Sequence, residues 1–135
     1  MGLRLTTLLV DTHVLQWWTA EPERLSSPAL EALDGADELA VAAISWYELA
    51  WLARHGRITV DLPIRTWLSG LAGSVRTVAL SPAIAATAVS LPETFPSDPA
   101  DRLIYATAIE NGWHLVTKDS PLRRHRASPA VPTIW

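Results

Sequence analysis

The chain has 135 residues, 49% hydrophobic and 19% charged, with no cysteine and a formal net charge of −3 at pH 7. That length and balance describe one domain, residues 1–135, with a core of its own, and exclude disorder, a disulfide framework and a thiolate metal site. The acidic balance excludes the global basic field carried by many nucleic-acid binders.

Ten of the eleven basic residues are arginine, a side chain that grips phosphate in a bidentate way. A chain this rich in alanine and proline can also owe its arginines to composition. No run of 18 apolar residues occurs, so no membrane-spanning segment is predicted. Asp11 and His13 interrupt the apolar N-terminal stretch where a signal core would continue. A soluble, cytoplasmic domain is expected.

Along the chain, apolar runs alternate with helical patterns. Leu5–Val10 reads as a buried strand and is followed by a helix over Val14–Ala20. Ser26, Ser27 and Pro28 open a second helix over Ala29–Leu33. Glu38–Ala43 is the second predicted strand, and it runs into a helix over Ser45–His55 that Gly56 ends. Ile58–Leu62 is short and extended, and Ile64–Leu71 is helical. Arg76–Leu80 is a third strand, after which Ser81-Pro82 opens a helix over Ala83–Ser90.

Pro92–Pro99 holds three prolines and must be a loop. A helix then runs from Pro99 to Asn111, closed by Gly112. His114–Thr117 is a fourth strand, and Val131–Ile134 is a candidate fifth. Strands that alternate with helices require crossovers, so the class is α/β: helices on both faces of a mostly parallel sheet of four or five strands.

The acids fall at telling places. Asp11 follows the first strand and Asp119 lies just beyond the fourth, at the carboxyl ends where open parallel sheets bind ligands. Glu48 and Asp101 lie in predicted helices that follow strand-like segments. At helical spacing Glu48 shares a face with Ile44, Trp51, Leu52 and His55, which is the face expected to be buried. An unpaired carboxylate there must find an arginine, a proton or a metal. Asp101 shares a face with Ile104, Tyr105 and Ala108 and also points inward.

Each acid alone has a simpler role. Asp98 suits the N-cap before Pro99, with Asp101 at the third helical position. Asp11 could cap the helix after it, and Asp119 could start a turn with Ser120-Pro121. Together, carboxylates gathered at one sheet edge repel one another unless a cation joins them, and all-oxygen ligation selects Mg²⁺ or Mn²⁺ over zinc. Such an ion favours hydrolysis of phosphate esters.

The blocks LLVDTHVLQWW, ISWYELAWL, DPADRLIYATA and HLVTKD, in that order, resemble the PIN domain, and more narrowly the VapC-type toxins of VapBC toxin–antitoxin systems. The resemblance implies a three-layer α/β/α fold and a Mg²⁺- or Mn²⁺-dependent endoribonuclease acting on RNA. It places the family's acidic quartet, both catalytic and metal-binding, on Asp11, Glu48, Asp101 and Asp119. Asp98, Thr12 and Thr117 match supporting positions. It also implies a cognate VapB-type antitoxin, whose C-terminal segment would lie near the site, and a homodimer. The rival within the same fold is a PIN-like binding module whose acids are only structural. A receiver-type phosphoacceptor is disfavoured, because RTVAL ends in Ser81-Pro82 rather than an aspartate.

The other polar and aromatic residues are less specific. His13 suits a plain position in the first turn of a helix, and His55, His114 and His125 lack zinc-site spacing. Arg102 and the Arg123, Arg124, Arg126 cluster are candidates for RNA phosphate contacts. Seven tryptophans are expected to be mostly core, with the rest exposed as apolar surface on the first three helices.

Overall fold

The structure, a computed structural model, describes residues 5–124 and 131–135. His125 and Arg126 therefore lie outside the described residues. Five parallel strands form one sheet: β1 (Thr7–Val10), β2 (Glu38–Ala42), β3 (Arg76–Val78), β4 (His114–Val116) and β5 (Thr133–Ile134). Their order across the sheet is β3-β2-β1-β4-β5. The chain thus builds outward from β1 on one side, then returns to build outward on the other.

Strand side chains alternate between two cores, as a sheet covered on both faces requires. Leu9, Ala40, Ala42 and Leu115 pack with Ile104, Tyr105 and Ala108 of α6 (Pro99–Asn111) on one face. Leu8, Val10, Leu39, Val41 and Val116 pack on the other face. That face is covered by α1 (Thr12–Ala20), α2 (Ser27–Gly35) and Leu49 of α3 (Ile44–Arg54). The helix α5 (Pro82–Ser90) lies outside α6, through Ile84, Ala88 and Ala106. The helix α4 (Ile64–Ala72) follows α3. This is the expected three-layer arrangement.

Local signals explain most boundaries. Ser26, Ser81 and Asp98 cap α2, α5 and α6 through their side chains, each with a proline in the first turn. Gly112 ends α6 in the left-handed conformation that glycine adopts without strain. Two short elements were not predicted: a single 3-10 turn at Pro22–Arg24 and the helix α7 (Ser120–Arg124). Residues 58–62 form no strand.

The tryptophan expectation is overturned. None of the seven is buried: six are half-buried and Trp51 is 41% exposed. Small strands and short helices leave room inside for leucine, valine and alanine, so the indoles cover the core from its rim. The exposed large apolar residues among the first three helices, Tyr47 and Trp51, both belong to α3.

Candidate active site

The strand order reverses between β1 and β4, and ligands of open α/β sheets bind at such a reversal, beyond the carboxyl ends of the strands. Asp11 leaves β1 there. Its backbone N–H donates to Val116 O of β4 at 3.0 Å, while its carboxylate caps α1 by accepting from Thr12 N at 2.8 Å. Its other oxygen accepts from the Thr117 hydroxyl at 2.6 Å. Thr117 Oγ1 in turn accepts from Asp119 N at 3.0 Å, so one buried hydroxyl ties together the acids that follow β1 and β4. Asp119 Oδ1 accepts from Leu122 N at 3.1 Å, which makes it the cap of α7 rather than the start of a simple turn.

Glu48 reaches the same place from α3. The sequence placed it on the buried face, but Ser45 and Leu49 are the fully buried residues of that helix. Glu48 lies at the edge, half-buried, with Trp51 and His55 beyond it in solvent. The helix packs on α1 and the sheet through Ser45 and Leu49, so its apolar stripe is turned from the one that pattern alone suggested.

Among the described residues no arginine pairs with Glu48, and the ion pairs there are Arg24–Glu21 and Arg76–Glu38. Glu48 Oε1 instead accepts from the Thr12 hydroxyl at 2.5 Å, and Thr12 Oγ1 also lies 2.9 Å from Ser45 Oγ. A hydroxyl has a single proton to give. With that proton donated to the carboxylate, the Thr12 oxygen accepts from the Ser45 hydroxyl, so a short relay of hydrogen bonds ends on Glu48. Ser45 was not singled out from sequence. Its only signal was the three-residue offset from Glu48, which puts the two on adjoining faces of one helix.

Asp101 and Asp98 enter from the start of α6. Asp98 is the exposed N-cap and accepts from Ala100 N at 2.8 Å, as its capping role predicts. Asp101, half-buried at the third position, is pushed up to about 7 from the ordinary 3.8, first by burial and then by Asp119, Asp98, Asp11 and Glu48. Burial also raises Asp11, and Thr117, Thr12 and His13 only partly offset it. Glu48 is raised by burial and by Asp11 and Asp98, against the pull of Thr12 and His13. His13 is exposed in the first turn of α1, with its ring 5.8 Å from that of Trp17.

All the predicted acids therefore meet at one sheet edge, close enough to perturb one another. Among the described residues, no three His, Cys, Asp or Glu side chains are placed closely enough to hold a metal ion as they stand. Like charges hold each other apart, and a divalent cation is the charge that relieves them. The oxygens on offer are carboxylate, the donor chemistry that hard ions such as Mg²⁺ or Mn²⁺ prefer. Beside the acids, His13, Ile44, Tyr47, Glu48, Trp51, Leu52 and the start of α6 line a recess of about 400 Å³.

Arg102 is not part of this edge, contrary to the sequence expectation. Its guanidinium donates to the carbonyls of Pro96, Ala88, Leu91, Pro92 and Phe95 at 3.0–3.3 Å and lies over the Phe95 ring. One position along a helix turns a side chain by about 100°, so Arg102 faces the proline loop while Asp101 faces the acids. Its donors are spent on holding that loop.

The PIN domain family matches residues 8–127. A curated relative, Ribonuclease VapC22 of Mycobacterium tuberculosis, is 62% identical over 131 residues, which is 97% of this chain and all of that one. Among solved structures, VapBC-1 from nontypeable Haemophilus influenzae superposes with a TM-score of 0.71 at 15% identity, covering 95% of this chain and 96% of that one. VapBC2 from Rickettsia felis, bound to a DNA fragment from its promoter, gives 0.69 at 16% identity over 95% and 97%. At those identities the two structures speak to the fold.

Proposed function

Because the chain belongs to the PIN-domain family, we propose that it is an endoribonuclease of the VapC type, hydrolysing RNA phosphodiester bonds with Mg²⁺ or Mn²⁺ held by its acidic cluster. The observation that carries this reading is the gathering of Asp11, Glu48, Asp98, Asp101 and Asp119 beyond β1 and β4, near enough that burial and the four other acids push Asp101 up to about 7. Such crowding destabilises an ion-free site and suits a cation-loaded one.

Asp11, Glu48, Asp101 and Asp119 would hold the ion, with Asp98 at the exposed edge. A bound divalent ion supplies Lewis acidity toward water and toward the phosphodiester. The chain supplies orientation. Thr117 and the Thr12 amide fix both oxygens of Asp11, and the Thr12 hydroxyl, backed by Ser45, fixes Oε1 of Glu48. A ligand oxygen held in place needs little rearrangement when substrate arrives.

The same reading makes the chain the toxin of a pair with a VapB-type antitoxin, working in the cytoplasm where RNA is exposed. The apolar surface of Tyr47 and Trp51, next to the acids, suits the antitoxin segment. Assembly as a homodimer is part of the proposal, and the mass of the purified chain in solution tests it. Among the described residues, no helix is long and apolar enough to cross a membrane.

The deciding experiment is cleavage of a pool of structured RNAs by the purified chain with Mg²⁺, with Mn²⁺ and with EDTA, beside Asp11→Asn and Asp101→Asn. Discrete cuts that require metal and vanish in both variants are expected. A folded, antitoxin-free chain that cuts nothing under any of these conditions would leave the rival, a binding module with structural acids.

A further inference from the structure

With Arg102 committed to the proline loop, the cations available to a nucleic acid lie elsewhere. A groove of about 680 Å³ runs away from the acids between α1 and the segment after α3. Its lining includes His13, Trp17, Arg24, Leu52 and Arg57. It shares His13 with the recess beside Glu48, and His13 and Trp17 with the depression that holds Asp11, Lys118 and Asp119. The groove is therefore continuous with the site.

Cations lie against aromatic rings in the groove and in the depression that adjoins it. Lys118 Nζ lies 5.6 Å from the centre of the Trp17 ring and 5.9 Å from that of Trp135, and the Arg24 guanidinium is 5.9 Å from Trp17. Arg57 lies 6.0 Å from Trp51, whose ring stacks on His55 at 4.0 Å. Neither Lys118 nor Arg57 has an ion pair among the described residues, and both are exposed. Glu21 is the one acid in the lining, and it is already engaged by Gln16 and by Arg24.

We infer that this groove, together with the adjoining depression that holds Lys118, is the seat of the single-stranded RNA that flanks the scissile phosphate, with Lys118, Arg24 and Arg57 against successive phosphates and Trp17, common to both, offering a face to a base. The inference rests on the ribonuclease reading above. A net charge of −3 makes local placement of cations necessary, because the chain as a whole repels a polyanion. Basic grooves interleaved with aromatic rings hold single strands without demanding a fixed base order.

The test is binding of a fluorescent single-stranded RNA across a salt series, in an Asp11→Asn background so that the probe stays intact. Lys118→Gln and Arg57→Gln each remove one cation from an exposed position. Each is expected to weaken binding several-fold at low salt and to flatten the slope of log affinity against log salt by about 0.7, the value for one phosphate contact on a single strand. Arg65→Gln, exposed on α4 and absent from the lining of both the groove and the depression, should change neither.

If the otherwise native chain cuts RNA, yet both groove variants bind with unchanged affinity and slope, the groove is not the seat and the ribonuclease reading stands. If the variants lose affinity for a VapB-type antitoxin but not for RNA, the groove is a protein interface and the inference falls. If the native chain neither binds nor cuts RNA, both fall together.

Discussion

Thr117 donates its hydroxyl proton to Asp11 Oδ2 at 2.6 Å, across 106 residues of chain and across the reversal of strand order. The hydroxyl is fully buried and also accepts from the Asp119 amide. Thr117→Val keeps the shape and removes both bonds. We expect cleavage to fall by about 10–100-fold, the usual cost of losing a group that orients a metal ligand. Thr117→Ser should keep most activity. RNA cleavage rates at saturating Mg²⁺ and a Mg²⁺ titration check this.

The Thr12–Glu48 contact predicts a graded series. Thr12→Val takes the donor from Glu48, whereas Ser45→Ala leaves that donor in place and removes only its support. A hydrogen bond to a charged group contributes about 1.5–3 kcal/mol, against about 1 kcal/mol for a neutral pair. Thr12→Val should therefore cost roughly tenfold or more in cleavage, and Ser45→Ala clearly less. Equal losses would break the proposed relay.

Asp101 makes the ion-free protein sensitive to pH. Its folded pKa is about 7, against 3.8 as an ordinary aspartate. Between those values the folded chain holds a proton that the unfolded chain has released, so stability falls as pH rises through that window. The raised Asp11 and Glu48 act in the same direction. In EDTA, the thermal midpoint should drop from pH 4 to pH 7.5, and Asp101→Asn should flatten the drop. That variant should be as stable as the native chain or more so at neutral pH, while losing cleavage. Mg²⁺ should raise the midpoint at pH 7.5 in the native chain and much less in the variant.

Arg102→Met should act on stability rather than on RNA. The variant keeps the aliphatic stem and withdraws the donors from the carbonyls of residues 88–96. We expect a loss of about 2–3 kcal/mol in denaturant unfolding, since backbone carbonyls left without a partner are costly. RNA affinity at temperatures where the variant is folded should not change.

The readable and unreadable parts of the sequence divide along one physical line. Leu8–Val10 before Asp11 and Leu115–Val116 before Thr117 are continuous apolar runs, as central parallel strands must be, so the acids after them were placed by local pattern alone. Asp98-Pro99 announced the start of α6 just as directly. What failed depended on partners far along the chain. The face of α3 that turns inward is set by packing on α1 and the sheet, not by its own apolar residues, so Glu48 sits at an edge instead of inside. Arg102 found its acceptors in a loop that returns from α5, and nothing within the DPADR block signals that. The tryptophans followed their hydropathy in expectation and their size in fact.

The strand order has a consequence for how the chain is made. β1 is synthesised first, but the strand that completes its carboxyl end, β4, comes after all of α1 through α6. Until β4 emerges from the ribosome, Asp11 has neither Thr117 nor Asp119 beside it, and the nascent chain carries scattered acids and no site. The site is therefore a late product of folding, assembled only when β4 takes its place beside β1.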